Sequence, residues 1–473
     1  MGMNFNFKNT TIYLLLITFV GILLRIYQIG KQSLWLDEVF TMHVSQLSPY
    51  EIWKFTVSSF DVHPPLFYWL EHISISFLGL TPLGLRIFPA VFGILTIPVF
   101  YVIGKDLYNE NLGLLLSIFI AISPFHIFHS QDARMYTLFL LLFSVSVLFL
   151  IKYIKTKKTI FFITSALILA ATCYVHFLSF VLSSIFIYTI LLVLCLENKS
   201  LIKNTFTHLC ICVISILPLI PTMVTTIFLN PSNPFYIDSG RNIVYTGIDM
   251  IIRTTTQMSG SSIPLSLGLY FLMIYGAYAM LPTVKNSIIP KITLFPPAVI
   301  TIISIPLSYK MQLEPRYFIF LLLPLFLIIS YGVYELYNGM KTRYTRLNKK
   351  IITTALVIII ILLHTPAIYF HYTANTKPDW SGLSGEISSI SNTTHIVLIP
   401  GGNQKLFELY YTKPAIYINT PDELYAIKST ENTLFVIPGD IKHDKYRNEY
   451  IEWITNNTTI VKKYDVFEIR RGN

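Results

Sequence analysis

The chain is dominated by apolar stretches of roughly 20 residues, the length an α-helix needs to cross a bilayer. About eleven of them can be marked, over residues 11–29, 86–104, 112–124, 135–151, 159–174, 177–196, 206–223, 261–280, 292–307, 317–337 and 351–370. Lipid offers no hydrogen-bond partner to an exposed backbone, so such stretches must be helices. The composition agrees: 53% hydrophobic, 13% charged, with a mean hydropathy of +0.59. Ordinary soluble domains carry about twice that share of charge. The expected fold class is an α-helical polytopic membrane protein. The texture changes after residue 370, where 377–473 is mixed, charged and broken by Pro, Gly and Asn. Two domains are expected, a transmembrane domain over 1–370 and a small α/β domain over 371–473. In the latter, "THIVLIP", "PAIYINT" and "NTLFVIPGD" read as short strands, 403–411 and 445–456 as helices, and "TTIVKKYDVFEIRR" as a closing hairpin.

The net charge of +10 does not point to nucleic acid, because the basic residues cluster between apolar stretches. The clusters Lys152-Lys155-Lys157-Lys158, Lys199-Lys203, Lys285-Lys291 and Lys341-Arg343-Arg346-Lys349-Lys350 read as cytoplasmic topology signals. All four fall on one side if the apolar segment 64–80, which carries Glu71 and His72, lies in the outer interface as one or two helices. If it spans instead, everything after it reverses. The first reading makes the N-terminus cytoplasmic and turns the first loop and the C-terminal domain outward, as expected of a multi-pass plasma-membrane protein. Sequons at Asn392 and Asn457 fit that orientation. Residues 11–29 read as a retained anchor, being too long for a signal peptide's apolar region. Cys173, Cys195, Cys210 and Cys212 all lie in apolar stretches and offer neither a loop metal pair nor a staple for the soluble domain.

Ionisable groups then collect at the outer ends of the stretches. "SLWLDEVFTMHV" sets Asp37 and Glu38 among apolar side chains just past the first exit. "DVHPPLFYWLEH" places His63 before two prolines that hold the backbone extended. "SPFHIFHSQDARMYTL" carries His126, His129, Asp132, Arg134 and Tyr136; "CYVHF" carries His176; "EPRYFIFLLLP" carries Glu314, Arg316 and Tyr317. Charged groups at a membrane edge are costly unless paired or used. Bland readings remain for each: a helix-capping ion pair for Asp132-Arg134, interfacial anchors for Glu314 and Arg316, a satisfied turn residue for His176, loop surface for His63, a solvated pair for Asp37-Glu38. As a set they suit a phosphate on a lipid, since Arg presents a planar fork to phosphate oxygens and a carboxylate can take a hydroxyl proton.

These motifs, in this order and continued by "LRIFPAVFGILTIPVFYVIGKDLY" and by "KPDW" at the head of the soluble tail, resemble the membrane glycosyltransferases of the GT-C fold, in particular the group related to protein O-mannosyltransferases and lipid A aminoarabinose transferases. The resemblance covers nearly the whole chain. It implies transfer of a sugar, with inversion, from a polyprenyl or dolichyl phosphate donor to a membrane lipid, glycan or protein acceptor on the outer face. It gives Asp37 the part of base with Glu38 as companion, and puts Asp132, Arg134, Tyr136, His63 and Arg316 at the donor phosphate. His176, Glu314 and Tyr317 would stand behind them. No obligatory cofactor is implied. A divalent metal is left open, because Val62 stands where relatives carry a Glu and Asp61 is an imperfect substitute. Two rivals stand beside this reading: a relative that has lost activity and serves as a scaffold, against which the intact acidic and basic set argues, and a transporter or flippase for a lipid-linked sugar, which should show internal repeats and mid-membrane ionisable groups. No repeat is evident.

Overall fold

The computed structural model describes residues 7–58, 63–229, 243–258, 262–310, 313–343, 349–390, 395–427, 432–439, 441 and 444–473. Asp61, Val62 and the sequon at Asn392 fall outside them, as do parts of the basic stretch 341–350 and of the loop after residue 229. The chain divides into two compact units, Met1–Ile29 with Val44–Thr373, and Gly30–His43 with Ala374–Asn473. The first loop is thereby split, and the segment bearing Asp37 and Glu38 belongs with the C-terminal residues.

Among the described residues, the first unit has eight helices long and apolar enough to cross a membrane: Pro82–Leu107, Tyr136–Thr156, Phe177–Glu197, Leu201–Ile227, Ile263–Thr283, Ile288–Ser308, Pro315–Arg343 and Ile351–Thr373. A ninth arises if Glu110–Ile122 and Pro124–Ser130, bent by 59°, count as one span; Thr10–Ile26 and Thr159–Cys173 are shorter apolar helices. The protein is a multi-pass membrane protein. Its outermost spans keep apolar side chains exposed, with only 22% of the most apolar window buried in Ile263–Thr283 and in Ile351–Thr373, as lipid-facing helices require. The core between them is aromatic: Phe143 meets Phe186 and Phe320 at 5.3 Å, and Phe119 stacks on Phe326 at 5.7 Å.

Two expectations change in detail, and the one for segment 64–80 narrows to its one-helix form. The stretch 112–124 does not end at Pro124. Ser123 leaves the helical conformation and caps a second helix by accepting from the His126 amide, while Pro124, which has no N–H to give, starts it. The segment 64–80 is a single helix, Pro65–Leu78, with Gly79 ending it at φ +79°. At 14 residues it is too short to span. It pairs with a preceding helix, Pro49–Val57, through stacked Trp53 and Trp69 and a bond from the Trp69 indole to the Pro49 carbonyl. Lys291, grouped with the topology signals, is buried and ion-paired to Glu197 at 2.6 Å.

The C-terminal part of the second unit is a five-stranded sheet: β1 (His395–Leu398), β2 (Ile416–Tyr417), β3 (Thr433–Pro438), β4 (Thr458–Tyr464) and β5 (Phe467–Gly472). Their spatial order is β2-β1-β3-β5-β4. The first three are parallel, with Val397 opposite Ile416 and Phe435, and β5 joins antiparallel to both β3 and β4. Helix Trp380–Ile390 precedes the first strand, and Gln404–Tyr410, Pro421–Tyr425 and Arg447–Asn457 lie between the strands in sequence. β3 is buried along its whole length, as a central strand covered on both faces should be.

Candidate functional site

The first unit gathers most of the ionisable residues from the ends of the apolar stretches into one buried cluster, and local structure explains how. Pro64 is extended at φ −73° and ψ 167° and Pro65 starts the helix Pro65–Leu78, which leaves His63 projecting just ahead of that helix. The Leu66 amide donates to the Tyr174 carbonyl at 2.9 Å, fixing this corner against the turn that holds His176. His176 is the N-cap of Phe177–Glu197, its Nδ1 accepting from the Ser179 amide at 3.1 Å. The His63 and His176 rings thus come within 5.6 Å.

Arg134 enters from the turn after Pro124–Ser130. Its Nη2 lies 2.9 Å from His63 Nε2. A guanidinium can only donate, so Nε2 accepts and the neutral His63 ring carries its proton on Nδ1. His176, accepting at Nδ1, is by the same reasoning protonated at Nε2. Burial lowers the proton affinity of His176 well below the ordinary histidine range, and the positive charges of Arg134 and Arg316 push the same way. It is therefore neutral at physiological pH. Asp132 and Arg134 are both buried, joined by a 2.6 Å bond from the Arg134 amide to the Asp132 carbonyl.

Aromatic rings complete the cluster. Tyr136, the first residue of Tyr136–Thr156, has His129 at 5.1 Å, His176 at 6.1 Å and the Arg316 guanidinium over its face at 5.8 Å. Tyr317 lies 5.1 Å from His176 and also receives Arg316, at 5.9 Å. The Ser179 hydroxyl donates to the Tyr317 carbonyl, holding the head of Pro315–Arg343 there. Two guanidiniums, two neutral imidazoles and two phenols are what an anion bound in a low-dielectric site needs, being donors already desolvated and oriented. Glu314 turns elsewhere, to Arg253 at 3.8 Å, with Arg253 also bonded to Asp249 at 2.9 Å.

Asp37 and Glu38 belong to the second unit. Both sit in the first turn of Leu36–Ser45, where the helix dipole favours carboxylates. Asp37 is half-buried and Glu38 fully buried. Glu38 Oε1 pairs with Lys377 Nζ at 2.8 Å. Sequence reasoning does not find this partner, although Lys377 opens the "KPDW" motif. It also missed Arg25, fully buried in the first helix, whose Nη2 lies 2.7 Å from His126 Nδ1 and which donates to the carbonyls of Gly21, Ile120 and Ala121. A charge inside an apolar stretch was the available signal for Arg25. No group of three His, Cys, Asp or Glu side chains is placed to hold a metal ion among the described residues.

Residues 62–224, the part of the chain that contributes His63, Asp132, Arg134, Tyr136 and His176, match the family model for dolichyl-phosphate-mannose-protein mannosyltransferase. Solved structures match over nearly the whole of this chain. The fold is that of the GT-C membrane glycosyltransferases. ArnT from Cupriavidus metallidurans, solved bound to undecaprenyl phosphate, superposes with a TM-score of 0.60 at 11% identity, covering 97% of this chain and 98% of its own. The Archaeoglobus fulgidus oligosaccharyltransferase, solved with zinc and sulfate, gives 0.60 at 14% identity over 93% of this chain and 69% of its own. The archaeal oligosaccharyltransferase AglB from Archaeoglobus fulgidus, solved with an inhibitory peptide and a dolichol-phosphate, gives 0.60 at 11% identity over 99% of this chain and 75% of its own. Comparison with the curated proteins returns no significant match.

Proposed function

We propose that the protein transfers a sugar from a polyprenyl or dolichyl phosphate donor to an acceptor on the outer face of the membrane. The observation that carries this reading is the buried Arg134–His63 pair, flanked by Arg316 on the faces of Tyr136 and Tyr317. A lipid phosphomonoester leaves as an anion, and oriented cationic donors in a site shielded from water stabilise that charge as it develops. Support also comes from relatives of the same fold solved with undecaprenyl phosphate and with a dolichol-phosphate.

In the reaction, the acceptor oxygen attacks the anomeric carbon from the side opposite the phosphate. The bond from that carbon to the phosphate oxygen breaks, the configuration inverts, and the lipid phosphate keeps the electron pair. Arg134, His63 and Arg316 hold the departing phosphate, with Tyr136 and Tyr317 as further donors and Asp132 setting the direction of Arg134. Asp37 takes the acceptor's proton, a carboxylate being the right base for a hydroxyl whose acidity rises as the bond forms. In this reading the N-terminus is cytoplasmic and the C-terminal domain extracytoplasmic. The acceptor class, whether lipid, glycan or protein hydroxyl, is set by the surface around Asp37.

The test is turnover of a panel of polyprenyl-phosphate sugars by the purified full-length protein, followed by mass spectrometry with a known relative as control. Transfer or donor hydrolysis with at least one donor is expected, and Asp37→Asn should abolish transfer while leaving the protein folded and inserted. No turnover with any donor refutes the activity; near-normal turnover in Asp37→Asn refutes the base assignment alone.

A further inference from the structure

Glu38 invites the assumption that it joins Asp37 at the acceptor. Its geometry says otherwise. The side chain is 0% exposed, Oε1 lies 2.8 Å from Lys377 Nζ, and Oε2 accepts from the Trp35 amide at 3.3 Å, one of the orphan donors at the start of Leu36–Ser45. Both of its oxygens are thus engaged. Lys377 is itself nearly enclosed, its side chain 6% exposed. Successive residues on an α-helix project about 100° apart, as 3.6 residues per turn requires. Pinning Glu38 inward therefore fixes the direction in which half-buried Asp37 points.

The surrounding chain is tied in the same way. Gln32 Oε1 accepts from the Thr376 hydroxyl at 2.9 Å and from the Lys377 amide at 3.2 Å. Ser33 Oγ accepts from the Ser381 amide at 3.1 Å, and the Leu34 amide donates to the Tyr410 hydroxyl at 2.6 Å. The anchoring end is firm. Asp379 accepts from the Gly382 amide at 2.9 Å and from the Tyr464 hydroxyl at 2.5 Å, and Trp380 packs against Phe467 at 4.6 Å. A buried ion pair is a poor device for stability, since desolvation offsets the attraction, but a good one for fixing a single geometry.

We propose that Glu38 is a positioning residue, and that its buried pairing with Lys377 lets the C-terminal domain orient the Asp37 carboxylate toward the acceptor. This rests on the reading of Asp37 as base. It gives the soluble domain a part in the reaction and removes Glu38 from acceptor contact.

The experiment uses the full-length protein with two readouts, transfer kinetics and amide hydrogen exchange over residues 33–43. Glu38→Gln and Lys377→Met should each lower kcat by about 10- to 100-fold, the cost of a base misplaced by about 1 Å, with the donor KM unchanged. Each should also speed exchange in 33–43. The double variant should lose no more than either single one, because both break the same link. Lys377→Arg, which keeps the cation, should recover part of kcat. Near-normal kcat in Glu38→Gln, losses that multiply in the double variant, or an effect confined to the acceptor KM each overturns the proposal. Should the unsubstituted protein turn over no donor, the proposed function fails first and is seen to do so. Exchange then decides separately whether the pair orders the segment, and unchanged exchange in Lys377→Met overturns the inference whatever the activity.

Discussion

Replacing Arg25 by Met removes a guanidinium that is fully buried and holds a broken helix together. Its donors reach the carbonyls of Ile120 at 2.9 Å and Ala121 at 3.0 Å, which end Glu110–Ile122 and have no partner further along that helix, and Nη2 lies 2.7 Å from His126 Nδ1. Charge-assisted bonds contribute roughly 1.5–3 kcal/mol each, so these links between helices amount to about 4.5–9 kcal/mol gross. Removing a buried charge returns several kcal/mol of desolvation. The net expectation is a loss of about 2–4 kcal/mol. Unfolding of purified protein in mixed micelles, followed by tryptophan fluorescence, reads it directly. Arg25→Lys should recover only part, because an ammonium lacks the planar fork that reaches acceptors on two sides. In a cycle with His126→Ala, a coupling of at least about 0.5 kcal/mol is expected for groups in contact. An unfolding curve for Arg25→Met that overlays the unsubstituted protein's would refute the capping argument, since the orphaned carbonyls alone should be felt.

Three further outcomes follow from the same geometry. Arg134→Gln should lower transfer about 10²- to 10³-fold by loss of an anion-stabilising donor, with Arg134→Lys intermediate; equal rates for all three forms would remove Arg134 from the phosphate. A Cβ on Gly276 would sit 2.2 Å from the Ile328 carbonyl oxygen of the neighbouring span, so Gly276→Ala should destabilise by about 1–3 kcal/mol in the same unfolding assay, and a neutral result would mean that those helices are not in contact. His176 gives a pH dependence. Its proton affinity is lowered in the folded protein, while in the unfolded chain it titrates near the ordinary histidine value of 6.5. Below that pH the unfolded chain takes up a proton that the folded protein refuses, so the contribution is full above about 6.5 and declines as pH falls further. His176→Gln should flatten the acid side of the stability profile, and an unchanged slope would count against the buried neutral ring.

What the sequence revealed and what it hid divide by how local the cause is. Lipid forces each apolar stretch into a helix whatever its neighbours do, so the helices were legible from the apolar runs, although among the described residues only eight are long enough to span by themselves. The strands of the C-terminal sheet were legible for a similar reason, because short β-branched and aromatic runs between Gly, Pro and Asn mark themselves. His63 and Arg134 were visible as singular groups at the ends of apolar stretches, and the structure brings them to 2.9 Å. Lys377 was hidden as a partner of Glu38 because no periodicity connects residues so far apart in the chain. The bend at Pro124 was read as an end, since proline marks both helix stops and helix starts and only the cap at Ser123 distinguishes them here.

That bend has a cost which the rest of the first unit is arranged to meet. Even a straight helix through residues 110–130 would leave the Ile120 carbonyl bare, because Pro124, four residues on, has no N–H. The bend orphans the Ala121 carbonyl as well, and Arg25 reaches across from another helix to cap both. The space for this is kept by Gly93, where a Cβ would lie 2.2 Å from Ser130 Oγ and 3.1 Å from Arg25 Nε. The short helix Pro124–Ser130 then carries His129 into contact with Tyr136 and hands directly to the turn that bears Asp132 and Arg134. Local rules broken at such expense mark places where position matters more than stability. On that argument Arg25 and Gly93, which touch no substrate in the proposed reaction, are as necessary to the placement of Arg134 as the residues beside it.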